Sequence, residues 1–205
     1  MPVMSTVPKP TLTPQEYLVQ ERKAAFKSEY YHGEVFAMAG ATREHNLIVG
    51  NVVRETGNAL KARSCEVYPS DMRVKVSSTG LYTYPDATVV CGGPEFDDEQ
   101  FDTLLNPTVL FEVLSESTES YDRGAKFRQY REIESLKEYV MIAPDRASVE
   151  CYTRQADGRW LLQEYQSLEQ TATFESINVT VELSEIYRNV AFHELEETDL
   201  QPKQG

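Results

Sequence analysis

Two carboxylates sit inside short apolar runs, and they constrain this chain more than any other feature. Asp86 lies in Tyr84-Pro85-Asp86-Ala87-Thr88-Val89-Val90, and Glu112 in Val109-Leu110-Phe111-Glu112-Val113-Leu114. Both runs predict buried strands, where Asp and Glu are depleted because an ionised carboxylate loses its hydration. Each acid therefore needs a partner, either a basic side chain or a metal ion. Alternate residues of a strand share a face, so Asp86, Thr88 and Val90 point one way, and Leu110, Glu112 and Leu114 point one way. If the strands are neighbours, the two acids meet at one edge of a sheet. With a backbone carbonyl (that of Val113), waters and a phosphate, they could complete the octahedral oxygen shell of Mg²⁺. Mn²⁺ accepts the same ligands. The plainer alternative is that each acid pairs with a nearby Lys or Arg.

A lysine is the natural third member of such a site, because it can orient a water and neutralise charge developing on a phosphate. Asp122, Lys126 and Tyr130 recur at i, i+4 and i+8 and share a helical face. Arg123, Arg128 and Arg131 join Lys126 against Asp122 to make 122–131 locally basic, the one candidate patch for a phosphate backbone. Read alone, Asp122 and Lys126 are an ordinary surface pair. His45 falls on an apolar stripe with Ile48, Val49 and Val52 and is either a core histidine or a cleft residue assisting metal or phosphate. Asp71 and Glu34 could each add a carboxylate to the site or serve only as a cap or salt-bridge partner. The tyrosines Tyr30, Tyr31, Tyr82 and Tyr84 could stack on bases or fill the rim of the sheet.

The rest of the chain predicts a single mixed sheet flanked by helices. Thr13-Pro14-Gln15-Glu16 is a capping box with proline at the first helical position. A hairpin is expected from Tyr30 to Met38 around His32-Gly33, and a helix over 42–62. Strands are expected near 66–68, 71–76, 85–91 and 108–115, then a helix over 121–134. After it come an interior strand at 139–142, a hairpin of 148–154 and 159–166 across Ala156-Asp157-Gly158, a strand at 178–182 and a helix at 184–189. The boundaries expected are a loose arm over 1–12, one domain over 13–192 and an acidic tail over 193–205.

With 205 residues the chain can bury one core of ordinary size. No apolar run is long enough to span a membrane, and no signal-peptide pattern opens the chain, so a cytoplasmic protein is expected. Cys65, Cys91 and Cys151, odd in number and widely spaced, are expected to be reduced and buried. The net charge of −13 opposes a nucleic-acid partner. Nine of the 33 acids, however, fall in two base-free stretches, 93–103 and 193–200, expected to be solvated.

The ordered set of motifs resembles the Uma-two family of bacterial endonucleases, within the PD-(D/E)XK nuclease-fold superfamily. The resemblance runs through Glu29-Tyr30-Tyr31-His32-Gly33-Glu34, the helix bearing His45-Asn46, Pro69-Ser70-Asp71-Met72-Arg73-Val74 and Tyr84-Pro85-Asp86. It continues through Phe111-Glu112-Val113-Leu114-Ser115-Glu116-Ser117-Thr118, Tyr121-Asp122-Arg123-Gly124-Ala125-Lys126 and Glu138-Tyr139-Val140. It implies a restriction-endonuclease-like α/β core, with Asp86 and Glu112 matching the motif acids. The superfamily motif places lysine two residues after the acid, where this chain has Leu114; the resemblance implies that Lys126 takes that role from the following helix. A Mg²⁺- or Mn²⁺-dependent DNA endonuclease is expected, and double-strand cutting would require a homodimer. A silent nuclease-fold binding protein and a metal-dependent nucleotide hydrolase are the alternatives.

Overall fold

Thr13 caps the first helix, α1 (Pro14–Glu21), in both directions: its hydroxyl accepts from Glu16 N, and its own N–H donates to Glu16 Oε2. The computed structural model describes residues 11–192. Residues 1–10 of the expected arm and all of the expected tail lie outside the described residues. Leu12 donates its N–H to Gly33 O at 3.0 Å, so the chain is already fastened to the hairpin there.

That hairpin is β1 (Ser28–Tyr31) and β2 (Glu34–Ala37). His32 and Gly33 form its two-residue turn with φ of 50° and 86°, the positive pair that lets strands twist together. A Cβ at Gly33 would come within 2.7 Å of the Thr11 side chain, so close approach as well as φ requires glycine. Thr42 then caps α2 (Arg43–Leu60), which buries Ile48 and Val52.

Next come β3 (Cys65–Pro69), β4 (Arg73–Val76), β5 (Leu81–Thr83), β6 (Ala87–Cys91), β7 (Thr103–Leu104) and β8 (Val109–Val113). A helical crossover follows: α3 (Glu119–Tyr121), a π-helical turn over Asp122–Lys126 and α4 (Phe127–Tyr130). The chain closes with β9 (Glu138–Ile142), β10 (Val149–Arg154), β11 (Trp160–Tyr165), β12 (Thr171–Phe174), β13 (Val179–Glu182) and α5 (Leu183–Ile186).

The main sheet has six strands in the order β11-β10-β9-β8-β6-β3, and β8 and β9 are its parallel pair. This is the mixed sheet expected. α2 and the β12–β13 ribbon pack on one face with Val89, Phe111 and Val140. Tyr130, Ile133 and Leu136 pack on the other with Val90, Leu110 and Met141. A second sheet, β2-β1-β5-β4-β7, was not expected; β5, β7 and β12 are too short to carry a periodic signal. The helix expected over 121–134 ends earlier, at Tyr130, and Ile133 and Leu136 are buried through turns instead.

Two expectations are corrected. Cys65 and Cys91 are not reduced: they are directly opposed across antiparallel β3 and β6 and form a disulfide. Wide sequence spacing hid a pairing that sheet register creates. Cys151 is free and buried. The acidic stretch 93–103 is not merely solvated, because it contributes Thr103 to β7 and its acids pair with bases, one of them buried. Asp97 meets Lys75 at 2.6 Å, Asp98 and Asp102 meet Arg22, and Asp102 also meets the buried Arg73 at 3.0 Å.

The hydrogen bond from Arg22, with the nearby Arg73 charge, holds the Asp102 carboxyl well below the usual range. A depressed carboxyl contributes stability that is complete above its unfolded value and is lost as pH falls through the folded one. Urea unfolding should therefore show stability dropping below about pH 4. Asp102→Asn should flatten that drop and cost about 1–2 kcal/mol at neutral pH, allowing for solvent screening. An unchanged acid limb in the variant would remove Asp102 from this role.

Candidate active site

The register of β6 and β8 pairs Ala87 with Phe111 and Thr88 with Leu110, so the next position sets Asp86 against Glu112. The strands are adjacent, the condition on which the two acids were expected to meet, and the acids are cross-strand neighbours. Val113 N donates to Asp86 Oδ2 at 2.7 Å and fixes that carboxylate at the strand end. His45 reaches the same oxygen from the first turn of α2, with Nε2 3.2 Å away. Its Nδ1 is buried without a hydrogen bond. The site thus lies at the end of the sheet, where helices from both faces converge.

The crossover supplies the cation. Lys126 Nζ lies 3.0 Å from Glu112 Oε1, 3.2 Å from Asp122 Oδ1 and 3.4 Å from Glu29 Oε1. Tyr130 OH donates to Glu112 Oε1 at 2.8 Å. Asp122, Lys126 and Tyr130 therefore do share a face, and it points at Glu112. The π-helical turn between Asp122 and Lys126 is the kind of widened turn that recurs at functional sites. Leu114, two residues beyond Glu112, is buried in the apolar cluster around Tyr130.

Burial pushes the Glu112 carboxyl well above its usual range; Lys126 opposes this, while Asp122 and Asp86 add to it. Burial alone would strip Lys126 of its proton, but Glu112, Tyr130, Glu29 and Asp122 together outweigh it and hold the ammonium well above its usual value. Lys126 is therefore a fixed positive charge and a hydrogen-bond donor, not a base at neutral pH.

All these groups open into one cleft of about 1100 Å³, which Glu29, His45, Asp86, Glu112, Val113, Asp122 and Lys126 line. With Glu116 and Lys27 also in the lining, five carboxylates there face two ammonium groups and one imidazole. Among the described residues no three His, Cys, Asp or Glu side chains converge to hold a metal ion by themselves. A hard divalent cation fits the donor set in another way: two adjacent carboxylates, Asp86 and Glu112, with water and substrate oxygens completing the shell. Asp122 Oδ1 is buried with no hydrogen bond, its contact to Lys126 being electrostatic only. That excess negative charge favours a cation.

Other expected residues lie elsewhere. Asp71 is 87% exposed and pairs with Lys27 at 3.0 Å, and Glu34 is exposed at the start of β2; neither lines the cleft. Arg123 is gripped by Glu150 through two bonds and by Glu119 through a third. Arg128 and Arg131 are exposed but do not line the cleft, so the basic patch and the site do not coincide. Tyr30 and Tyr82 are buried against Tyr17, which is the structural role. Glu29 was missed as a site residue. It is an acid in the aromatic strand β1, and the reasoning applied to Asp86 would have flagged it.

The family model described as "Putative restriction endonuclease" matches residues 14–184. The chain belongs to the Uma2 family. Two relatives come from Synechocystis sp. (strain ATCC 27184 / PCC 6803 / Kazusa). The "Uncharacterized protein slr1290" is 35% identical over 187 residues, covering 91% of this chain and 97% of its own length. The "Uncharacterized protein sll1609" is 38% identical over 153 residues, covering 75% and 86%. A solved structure described as "a putative nuclease belonging to DUF820 from Anabaena variabilis" superposes with a TM-score of 0.71 at 16% identity, over 86% of this Uma2 chain and 97% of that one. At that identity the match establishes the shared fold, a mixed α/β sheet flanked by helices. No helix among the described residues is long and apolar enough to cross a membrane.

Proposed function

We propose that this protein is a divalent-metal-dependent DNA endonuclease. The observation that carries the reading is the 3.0 Å contact between Lys126 and Glu112, with Asp86 at the adjoining cross-strand position. A helix thereby supplies the lysine that Leu114 displaces from the strand. Asp86 and Glu112 are the residues that would hold Mg²⁺ or Mn²⁺. Such an ion, when bound, polarises a phosphoryl oxygen and lowers the pKa of its water.

The chain's own groups do the rest. Val113 N fixes Asp86, and Tyr130 OH fixes Glu112. Lys126, held charged by its carboxylates, donates to the attacking water or to the phosphate as negative charge builds there. His45 lies beside Asp86 and restricts the orientation of its carboxylate. One such centre cuts one strand, so a monomer nicks, and double-strand cleavage requires a two-fold dimer.

The test is calorimetric titration of Mn²⁺ into the wild type, Asp86→Ala and Glu112→Gln, with supercoiled plasmid cleavage on the same preparations. The wild type should bind the ion and nick the plasmid. Both variants should remain folded, lose ion binding and stop cutting. Cleavage that survives either substitution sinks the assignment of that carboxylate.

A further inference from the structure

The wall of the cleft opposite the strand end is one face of the β1–β2 hairpin. Register pairs Glu29 with Phe36, and Met38 N bonds Lys27 O one step further along. Directly opposed residues of an antiparallel pair point to the same side. Lys27, Glu29, Phe36 and Met38 accordingly all line the cleft. β2 is the edge strand of its sheet, and Phe36 is 48% exposed on it. Its direct cross-strand neighbour Glu29 lies 3.4 Å from Lys126 Nζ, so the Phe36 ring and the charged centre share one cleft.

The cleft's own side chains carry no positive excess to draw a polyanion. The lining carries Glu29, Asp86, Glu112, Glu116 and Asp122 against Lys27 and Lys126. Both lysines already contact carboxylates, Lys27 through Asp71. Proteins that track a DNA backbone rely on free Lys and Arg. Beyond the bound ion and Lys126, such a cleft can gain affinity from the bases, and an exposed ring offers it by stacking. In a duplex both faces of a base are already covered by its neighbours. A ring next to the scissile phosphate reaches a base only when that base is unpaired.

Building on the nuclease reading, we propose that Phe36 stacks on the base adjacent to the scissile phosphate and that the preferred substrate is single-stranded DNA. Met38 supplies an adaptable thioether on the same face. Phe36 is thus a specificity-determining residue, distinct from the carboxylates and Lys126.

Fluorescence anisotropy tests this with a labelled oligothymidylate and a duplex of equal length, using Ca²⁺ as the divalent ion. The wild type should prefer the single strand. Phe36→Ala, on an exposed edge strand, should stay folded and lose about 5- to 100-fold in single-strand affinity, the range for one stacked base. Phe36→Trp should retain binding. The salt slope should be the same in all three proteins, because no phosphate contact is removed. Wild-type affinity in Phe36→Ala, or a duplex bound as tightly as the single strand, overturns the stacking role while leaving the nuclease reading standing. Failure of the wild type to bind either DNA overturns both.

Discussion

Lys126→Met should cut plasmid about 10²- to 10³-fold more slowly than the wild type, the usual loss when one donor to developing charge is removed. The same substitution should cost about 3–5 kcal/mol of stability at neutral pH, because it leaves buried carboxylates without their counter-charge. Burial raises the Glu112 carboxyl, Lys126 opposes that rise, and Asp122 and Asp86 reinforce it. Without the lysine the folded-state value climbs further above the unfolded one. A raised carboxyl makes the native state bind protons more tightly than the unfolded state, so the deficit should grow as pH rises above about 4 and shrink in acid. Divalent cation should stabilise the variant more than the wild type, since it replaces the missing charge. Thermal melts across pH, with and without Mg²⁺, separate these effects. A variant as stable as the wild type at neutral pH would mean that the three carboxylates do not depend on the ammonium.

Reducing the Cys65–Cys91 disulfide, or replacing both cysteines with alanine, should cost about 3.5 kcal/mol by the chain-entropy relation. The bond closes a loop with a sequence separation of 26. For a domain of this size that corresponds to a fall in Tm of roughly 7–14 °C. Cleavage at ambient temperature should not change. Cys91 ends β6, whereas Asp86 precedes its start, and five extended residues separate them by about 17 Å. Calorimetry with and without reductant reads the first effect and a plasmid assay the second. Loss of activity at a temperature where the reduced protein is still folded would show that the far end of β6 is coupled to the site.

The contrast between these two regions shows what one-dimensional reading can reach. Asp86 and Glu112 were legible because a charge inside an apolar strand violates a local rule, and the violation marks the position. Lys126 and Tyr130 were legible because helical spacing puts them on the face of Asp122. The lysine's distance to Glu112 was not legible, because it depends on where the crossover lies over the sheet. The disulfide was invisible for the same reason: only the register of β3 and β6 brings Cys65 opposite Cys91. Net charge counted along 122–131 did not reveal that Glu150, from β10, already holds Arg123.

The sequence by itself determined the main sheet, its hairpins and caps, and the pair of acids at the strand end. Each of these is set by periodicity, turn chemistry or the cost of burying charge, all of which act between near neighbours. Tertiary structure alone decided the second sheet, the approach of the β1–β2 hairpin to the strand end, and the gathering of three carboxylates about one ammonium. Those features join elements far apart in sequence, and such contacts are fixed by how whole faces pack rather than by any local preference.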